Sequence, residues 1–201
     1  VLRILSVAER DLSWTEWIRK THTERFNELI SMELRWKGNI AIRTLSDRLR
    51  AKWAMWLLTS TDHELRDVAT RALYWFGRGD PAALFEESLR SLEINDPYVP
   101  ERMLAASYGV AMARHVDIGD QAFVSTVLPD YARNLYDSLF AEGAPFGTTH
   151  ILLREFAFRT IALAVLHNPS LFSYEEKERS KPSFSDGGLR DWGQSENLHE
   201  G

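Results

Sequence analysis

The sequence contains no cysteine among its 201 residues. Disulfide bonds, thiolate zinc sites, iron–sulfur clusters and cysteine nucleophiles are therefore excluded, and a reducing compartment is one of several that fit. No apolar run approaches the ~20 residues of a membrane span, and no secretory signal peptide is visible. Because the chain begins at Val1 rather than Met, we expect it to be an excerpt from a longer polypeptide.

Basic residues are also outnumbered by acidic ones. The chain has 24 Lys and Arg against 29 Asp and Glu, for a net charge of −5. This balance argues against a general affinity for nucleic-acid backbones or anionic membranes. One local exception combines basic residues with tryptophans, at Arg43, Arg48, Arg50, Lys52, Trp53 and Trp56. The three-residue spacing of the two tryptophans favours core packing over a grip on single-stranded nucleic acid.

Motifs for phosphate and metal binding are missing as well. There is no glycine-rich phosphate loop, and none of the six histidines stands in a metal-ligand spacing such as HExxH. We therefore expect no cofactor, no metal and no catalytic residue. His115 and His167 fall near predicted helix C-terminal ends, where a cation interacts favourably with the helix dipole.

Helical periodicity is what the sequence does have. Apolar residues recur at three- and four-residue spacing before about residue 170, and strand-like alternation is almost absent. We predict an all-α fold of irregular HEAT-like helical repeats, an α-solenoid segment, with a compact helical bundle as the alternative. The predicted organisation begins with an N-terminal helical pair in 1–60, broken at Gly38 and Asn39, whose second helix has on its apolar side Ile42, Leu45, Leu49, Trp53, Trp56 and Leu57. HEAT-like repeats are predicted in 61–172, where the helix after Pro81 is expected to bury Leu84, Phe85, Leu89 and Leu92. Residues 173–201 are predicted to be a polar acidic tail or linker that is poorly ordered.

Several helix ends carry local signatures. The patterns at Ser13–Glu16 and Thr61–Glu64 predict capping boxes, and Gly77 is predicted as a left-handed C-terminal cap. Asp80–Pro81 predicts an N-cap followed by proline in the first turn. Pro129 is predicted to kink or split its helix, because it removes an interior hydrogen bond.

A set of charged residues lies beside strongly apolar stripes: Arg66, Asp67, Asp96, Glu101, Arg102 and Arg154. In a helical stack such charges lie at seams, where arginine bonds carboxylates or helix-end carbonyls. We predict that Asp96 caps the helix beginning near Tyr98, and that Glu101 or Arg102 ties that helix to a neighbour. Architectural ion pairs are the favoured interpretation, and a contact surface for a partner is the alternative.

Four segments together resemble a known family, at Leu65–Leu73, Asn95–Arg102, Ala105–Gly109 and His150–Ala157. They are similar to the helical-repeat region that follows the NTPase module in large bacterial STAND/NACHT-type ATP-binding proteins, such as Avs-type antiviral sensors. The resemblance implies a cytoplasmic scaffold or sensor segment that binds a protein partner or other domains of its parent chain, without catalysis of its own. The alternatives are a nucleic-acid-binding helical repeat and a small helical enzyme.

Overall fold

The computed structural model describes residues 2, 4–40, 43–117 and 119–182. These residues include no strand, which confirms the all-α prediction. The α-helices are α1 (Val7–Arg10), α2 (Glu16–Lys20), α3 (His22–Gly38), α4 (Leu45–Leu57), α5 (His63–Gly79), α6 (Pro81–Ser91), α7 (Tyr98–Arg114), α8 (Leu128–Leu139), α9 (Ile151–His167) and α10 (Tyr174–Arg179). Two π-helical segments, Asp11–Thr15 and Phe123–Val127, lead into α2 and α8. None of the described helices is long and apolar enough to cross a membrane.

The four helices α3, α5, α7 and α9 form one layer and run in the same direction. For α7 and α9, Glu101 meets His150 where both helices begin, and His115 meets His167 where both end. Equivalent contacts at both ends join α3 to α5 and α5 to α7. Each of these helices has 17 residues, so the layer has two well-defined edges.

The helices α4, α6 and α8 form a second layer. They pack mainly on α5, α7 and α9 respectively, and α6 also packs on α5. Alternate helices therefore belong to the same layer, which is the order of stacked helix pairs. The most extensive packing is between alternate helices, α3 on α5, α5 on α7 and α7 on α9, whereas consecutive antiparallel helices are the principal neighbours in an up-and-down bundle. One continuous apolar core runs between the two layers, from Ile18 to Phe172.

The N-terminal 60 residues share this core. The prediction of which residues form the apolar side of their second helix is partly wrong. Helix α4 begins at Leu45, after a capping box between Thr44 and Asp47, and its core side carries Ala51 and Ala54. Leu45 and Leu49 were predicted on that side but are 75% and 61% exposed. Ile42, predicted with them, lies outside the described residues.

Two of the predicted capping boxes are wrong. The first capping box lies about two helical turns earlier, between Ser6 and Glu9, while the Ser13 hydroxyl donates to the Glu9 carbonyl inside a continuous helical run. At the second, Asp62 accepts the Leu65 amide by itself. The observed caps lie at other residues than the predicted ones, because the chain has several polar residues at three-residue spacing.

The predicted C-terminal cap at Gly77 is also wrong. Gly77 lies inside α5 and is buried, and a Cβ there would overlap Leu84 and lie 2.9 Å from Val110 Cγ2. It therefore allows α5 to approach α6 and α7 closely. The prediction at Asp80–Pro81 is confirmed, since Asp80 accepts the Ala83 amide and Pro81 opens α6.

The chain around Pro129 departs from a regular helix, as predicted. The segment Phe123–Val127 is π-helical, and α8 then begins at Leu128 with Pro129 in its first turn. The wider π turns precede the residue whose amide hydrogen is missing. The helical segment before Pro129 is thus divided into a π-helical part and an α-helical part, and the helix continues past the proline.

The prediction of a poorly ordered tail from residue 173 is wrong for its first part. Helix α10 forms there, with a capping box between Ser173 and Glu176. Arg133 of α8 forms an ion pair with Glu176, which ties α10 to the stack. Residues 183–201, with Trp192 among them, lie outside the described residues.

Candidate functional site

Five of the six predicted charged residues lie where α5 and α7 begin. Asp67 and Arg102 form an ion pair of 2.5 Å between α5 and α7. Glu101 lies 3.7 Å from Arg102 Nε and 3.3 Å from His150 Nε2 at the start of α9. We call the four residues Asp67, Glu101, Arg102 and His150 the N-terminal seam. It links three successive helices of one layer through an ion pair between Asp67 and Arg102 and a contact between Glu101 and His150.

His150 has two roles in this seam. Its Nδ1 accepts the Leu153 amide at 3.4 Å, so the imidazole caps α9. Nδ1 must be unprotonated to accept that bond, which leaves Nε2–H to donate to Glu101. A neutral imidazole thereby satisfies a helix end and a half-buried carboxylate together.

Asp96 and Arg66 meet around Tyr98, at the start of α7. Asp96 accepts the Tyr98 amide at 3.1 Å, and the Arg66 guanidinium lies 4.2 Å from the Tyr98 ring centroid. Arg10, which is 1% exposed, reaches Asp96 at 3.4 Å. Burial raises the pKa of Asp96, and the Tyr98 amide and Arg10 offset only part of this effect.

Arg154 stands apart from the other five. It is buried in α9 and donates to the carbonyls of Lys181 at 3.0 Å and Pro182 at 3.4 Å. Its guanidinium also lies 4.7 Å from the Phe140 ring centroid. This arginine therefore connects α9 to the chain after α10 and to the end of α8.

Most basic residues of the cluster near residue 43 contact other parts of the chain and stabilise the fold. Arg43 is buried and donates to four backbone carbonyls, at Trp36, Asn39, Trp75 and Phe76, where α3 and α5 end. Arg48 and Lys52 form ion pairs with Asp80 and Glu87. Trp53 and Trp56 pack against the core, as their spacing predicts.

The seam has the chemistry of a structural joint. Its two carboxylates face arginine or imidazole, so each has a charged or polar partner. Within residues 2, 4–40, 43–117 and 119–182, no group of three or more His, Asp or Glu could hold a metal ion. The contacts of the seam join α5, α7 and α9, as the architectural interpretation predicts for ion pairs between neighbouring helices.

An open groove lies on the other layer, between α6 and α8. We call it the α6–α8 groove; its volume is about 310 Å³, near the lower end of the range for ligand pockets. Its apolar lining comes from Ala82, Phe85, Leu89, Val127 and Tyr131, and its polar lining from Glu86, Thr126, Asp130 and Asn134. The two helices touch each other at few points, because each packs mainly on the layer beneath.

The floor of this groove is rigid. The Phe85 and Tyr131 rings are stacked with centroids 4.0 Å apart and an angle of 8° between their planes. Under the rings, the Tyr131 hydroxyl forms a 2.9 Å hydrogen bond with Ser88 Oγ. Burial raises the pKa of Tyr131 to about 12, against the opposing effect of Ser107 and Ser88, so the phenol stays protonated near neutrality.

The exposed side of α8 beside the groove is acidic. Asp130 and Asp137 are both exposed, and neither forms an ion pair with another described residue. Glu86, on the opposite rim, is paired with Arg90 one helical turn away. The groove therefore combines an apolar floor with one carboxylate on its rim, that of Asp130, which forms no ion pair with another described residue.

Sequence reasoning missed several residues that matter here. Arg10, Arg133 and His150 each reach partners that are distant along the chain. No local signal identifies them, apart from an arginine or histidine interrupting an apolar stripe. Phe85 and Leu89 were predicted as core residues, and both pack in the helical stack. The prediction did not indicate that they also line an open groove.

Comparisons of this chain with protein-family models, with curated proteins and with solved structures find no significant match.

Proposed function

We propose that this chain is a protein-binding helical-repeat scaffold, and that the α6–α8 groove receives an amphipathic helix of its partner. The observation that carries the proposal is the exposed apolar groove with a rigid aromatic floor. A helix laid in a groove between two helices extends the packing that builds the stack itself. The described residues offer no sheet edge to which an extended peptide could add.

The charge around the groove specifies the partner's chemistry. Neither Asp130 nor Asp137 forms an ion pair with another described residue, and the whole chain carries a net charge of −5. A complementary helix presents apolar residues at three- or four-residue spacing, with Lys or Arg beside them. A basic amphipathic segment of another protein is thus the expected occupant.

The two alternative functions have less support. The tryptophan-flanked basic cluster is largely paired or buried, which weakens the case for nucleic-acid binding. A small helical enzyme needs polar groups that converge in one pocket. The polar groups of the α6–α8 groove instead stand apart on an open rim. Membership of a larger bacterial defence NTPase, and a cytoplasmic location with it, is supported by the sequence resemblance alone.

A display library of random linear peptides, selected on the immobilised chain, tests the proposal. We expect enrichment of basic amphipathic helices whose affinity falls about 10-fold or more in Val127→Glu, because a charge enters the apolar floor. Asp130→Lys should weaken binding less, since a rim charge contributes little affinity. Leu45→Glu is the matched control, because Leu45 is an exposed leucine on α4.

Two results would overturn the assignment. One is enrichment of peptides that bind Val127→Glu as well as the unmodified chain. The other is salt-dependent binding of a fluorescein-labelled oligothymidine without peptide selection, which would favour the nucleic-acid alternative. Circular dichroism of each variant separates loss of binding from loss of folding.

A further inference from the structure

Two histidines meet at the edge of the layer opposite the N-terminal seam. His115 follows the last residue of α7, and His167 is the last residue of α9. His115 Nδ1 lies 3.2 Å from His167 Nε2, with the ring centroids 5.4 Å apart and the ring planes inclined by 68°. His167 is exposed and His115 is half-buried, so solvent reaches the pair.

We propose that His115 and His167 form a two-histidine site for a divalent transition-metal ion, of the class of Zn²⁺ or Ni²⁺. Two nitrogens that each lie about 2.0–2.1 Å from a tetrahedral zinc ion are about 3.3 Å from one another. The observed separation matches that spacing without any movement of the helices. Imidazole nitrogen is a preferred ligand for both metals.

The surroundings of the pair favour a cation. The last carbonyls of α7 and α9 place partial negative charge at this edge. Arg114, the residue before His115, is bound to Asp120 and to the Arg78 carbonyl.

The metal-free pair shares one proton in the 3.2 Å hydrogen bond. Metal binding requires the donor ring to carry that proton on its other nitrogen, which is a change of tautomer without net proton release. No third His, Asp or Glu completes a metal-binding group among the described residues, so water fills the remaining positions. The site is therefore open and exchangeable, and it joins the ends of two helices.

Thermal unfolding with and without ZnCl₂ or NiCl₂ at pH 7.5 tests this site, together with calorimetric titration of each metal. We expect one ion per chain and a rise in Tm of about 5–10 °C once metal exceeds its Kd about 100-fold. His115→Gln and His167→Gln should each abolish the rise. The amide of Gln can keep a hydrogen bond to the remaining ring but cannot replace the chelate. His63→Ala is the matched control, because His63 is an exposed histidine at the start of α5.

The readout is independent of any partner, so its failure leaves the proposed function standing. Absence of a metal-dependent rise in the unmodified chain would overturn the site. So would an unchanged rise in the His115→Gln and His167→Gln variants, because the metal would then be bound elsewhere. Tm values measured without metal confirm that the variants fold.

Discussion

The indole of Trp36 on α3 donates a 2.9 Å hydrogen bond to Asp47 Oδ1 on α4. The same carboxylate accepts the backbone amide and hydroxyl of Thr44 and pairs with Arg35. Burial raises the pKa of Asp47, but the hydrogen bonds and Arg35 outweigh it and hold the pKa at about 2. One carboxylate thus caps α4 and anchors it to α3.

This relationship predicts a pH dependence of stability. A carboxyl whose folded pKa is depressed stabilises the fold above its unfolded pKa, and that stability is lost as pH falls through the folded pKa. Asp47→Asn should therefore cost about 2 kcal/mol at pH 7, measured by urea unfolding, and much less near pH 2. Asp137→Asn, an exposed control on α8, should change stability by less than about 0.5 kcal/mol at either pH. An equal loss for Asp47→Asn at both pH values would contradict the prediction.

The ion pair between Arg102 and Asp67 distinguishes the two interpretations of the N-terminal seam. As an architectural contact it is partly exposed, so Arg102→Ala should cost roughly 1 kcal/mol and lower Tm by about 2–4 °C. Arg159→Ala, which breaks an exposed pair within α9, should shift Tm less. An unchanged Tm for Arg102→Ala, with weaker binding of the selected peptides, would instead place the seam in the contact surface.

The close approach at Gly77 can be tested against a second glycine in the same layer. A Cβ at Gly77 would overlap Leu84, whereas one at Gly109 lies 3.2 Å from the edge of the Tyr74 ring. Gly77→Ala should destabilise the chain by about 1–3 kcal/mol, despite the better helix propensity of alanine. Gly109→Ala should be close to neutral, because the ring can move slightly. Stabilisation by Gly77→Ala in thermal unfolding would refute the close-packing interpretation.

The phenol of Tyr131 is buried beneath the α6–α8 groove, where it bonds to Ser88. Tyr131→Phe keeps the ring that stacks on Phe85 but leaves the Ser88 hydroxyl without its partner. We expect a loss of about 1–2 kcal/mol in the free energy of unfolding, measured by denaturant titration. Tyr174→Phe, at an exposed position on α10, should stay within about 0.5 kcal/mol. Equal effects of the two substitutions would show that the buried hydrogen bond contributes nothing.

The helical type of most segments was predictable from the sequence, because helical periodicity and local caps are short-range. The Asp80–Pro81 start and the break at Gly38 and Asn39 are examples. Exact starts were less predictable, since Ser6–Glu9 and Ser13–Glu16 carry the same capping pattern. The burial of Arg10 against Asn95 and Asp96, far along the chain, fixes this part of the structure and is invisible locally.

The seam shows the same division. Burying an unpaired charge is costly, so charged residues beside apolar stripes could be expected to meet arginines or helix ends. Which residues meet did not follow, because Asp67 and Arg102 are joined only by the packing of α5 on α7. The α6–α8 groove was not predictable at all. It is a gap left between helices whose apolar faces satisfy the ordinary pattern of a buried stripe.

Arg43 has a consequence for how the stack unfolds. Its guanidinium holds carbonyls at the ends of both α3 and α5, so neither helix can fray there without breaking the bonds of the other. In repeat proteins, the strength of such coupling between neighbours decides whether repeats melt singly or together. We therefore expect the first helix pair to unfold together with α5, rather than as a detachable end repeat.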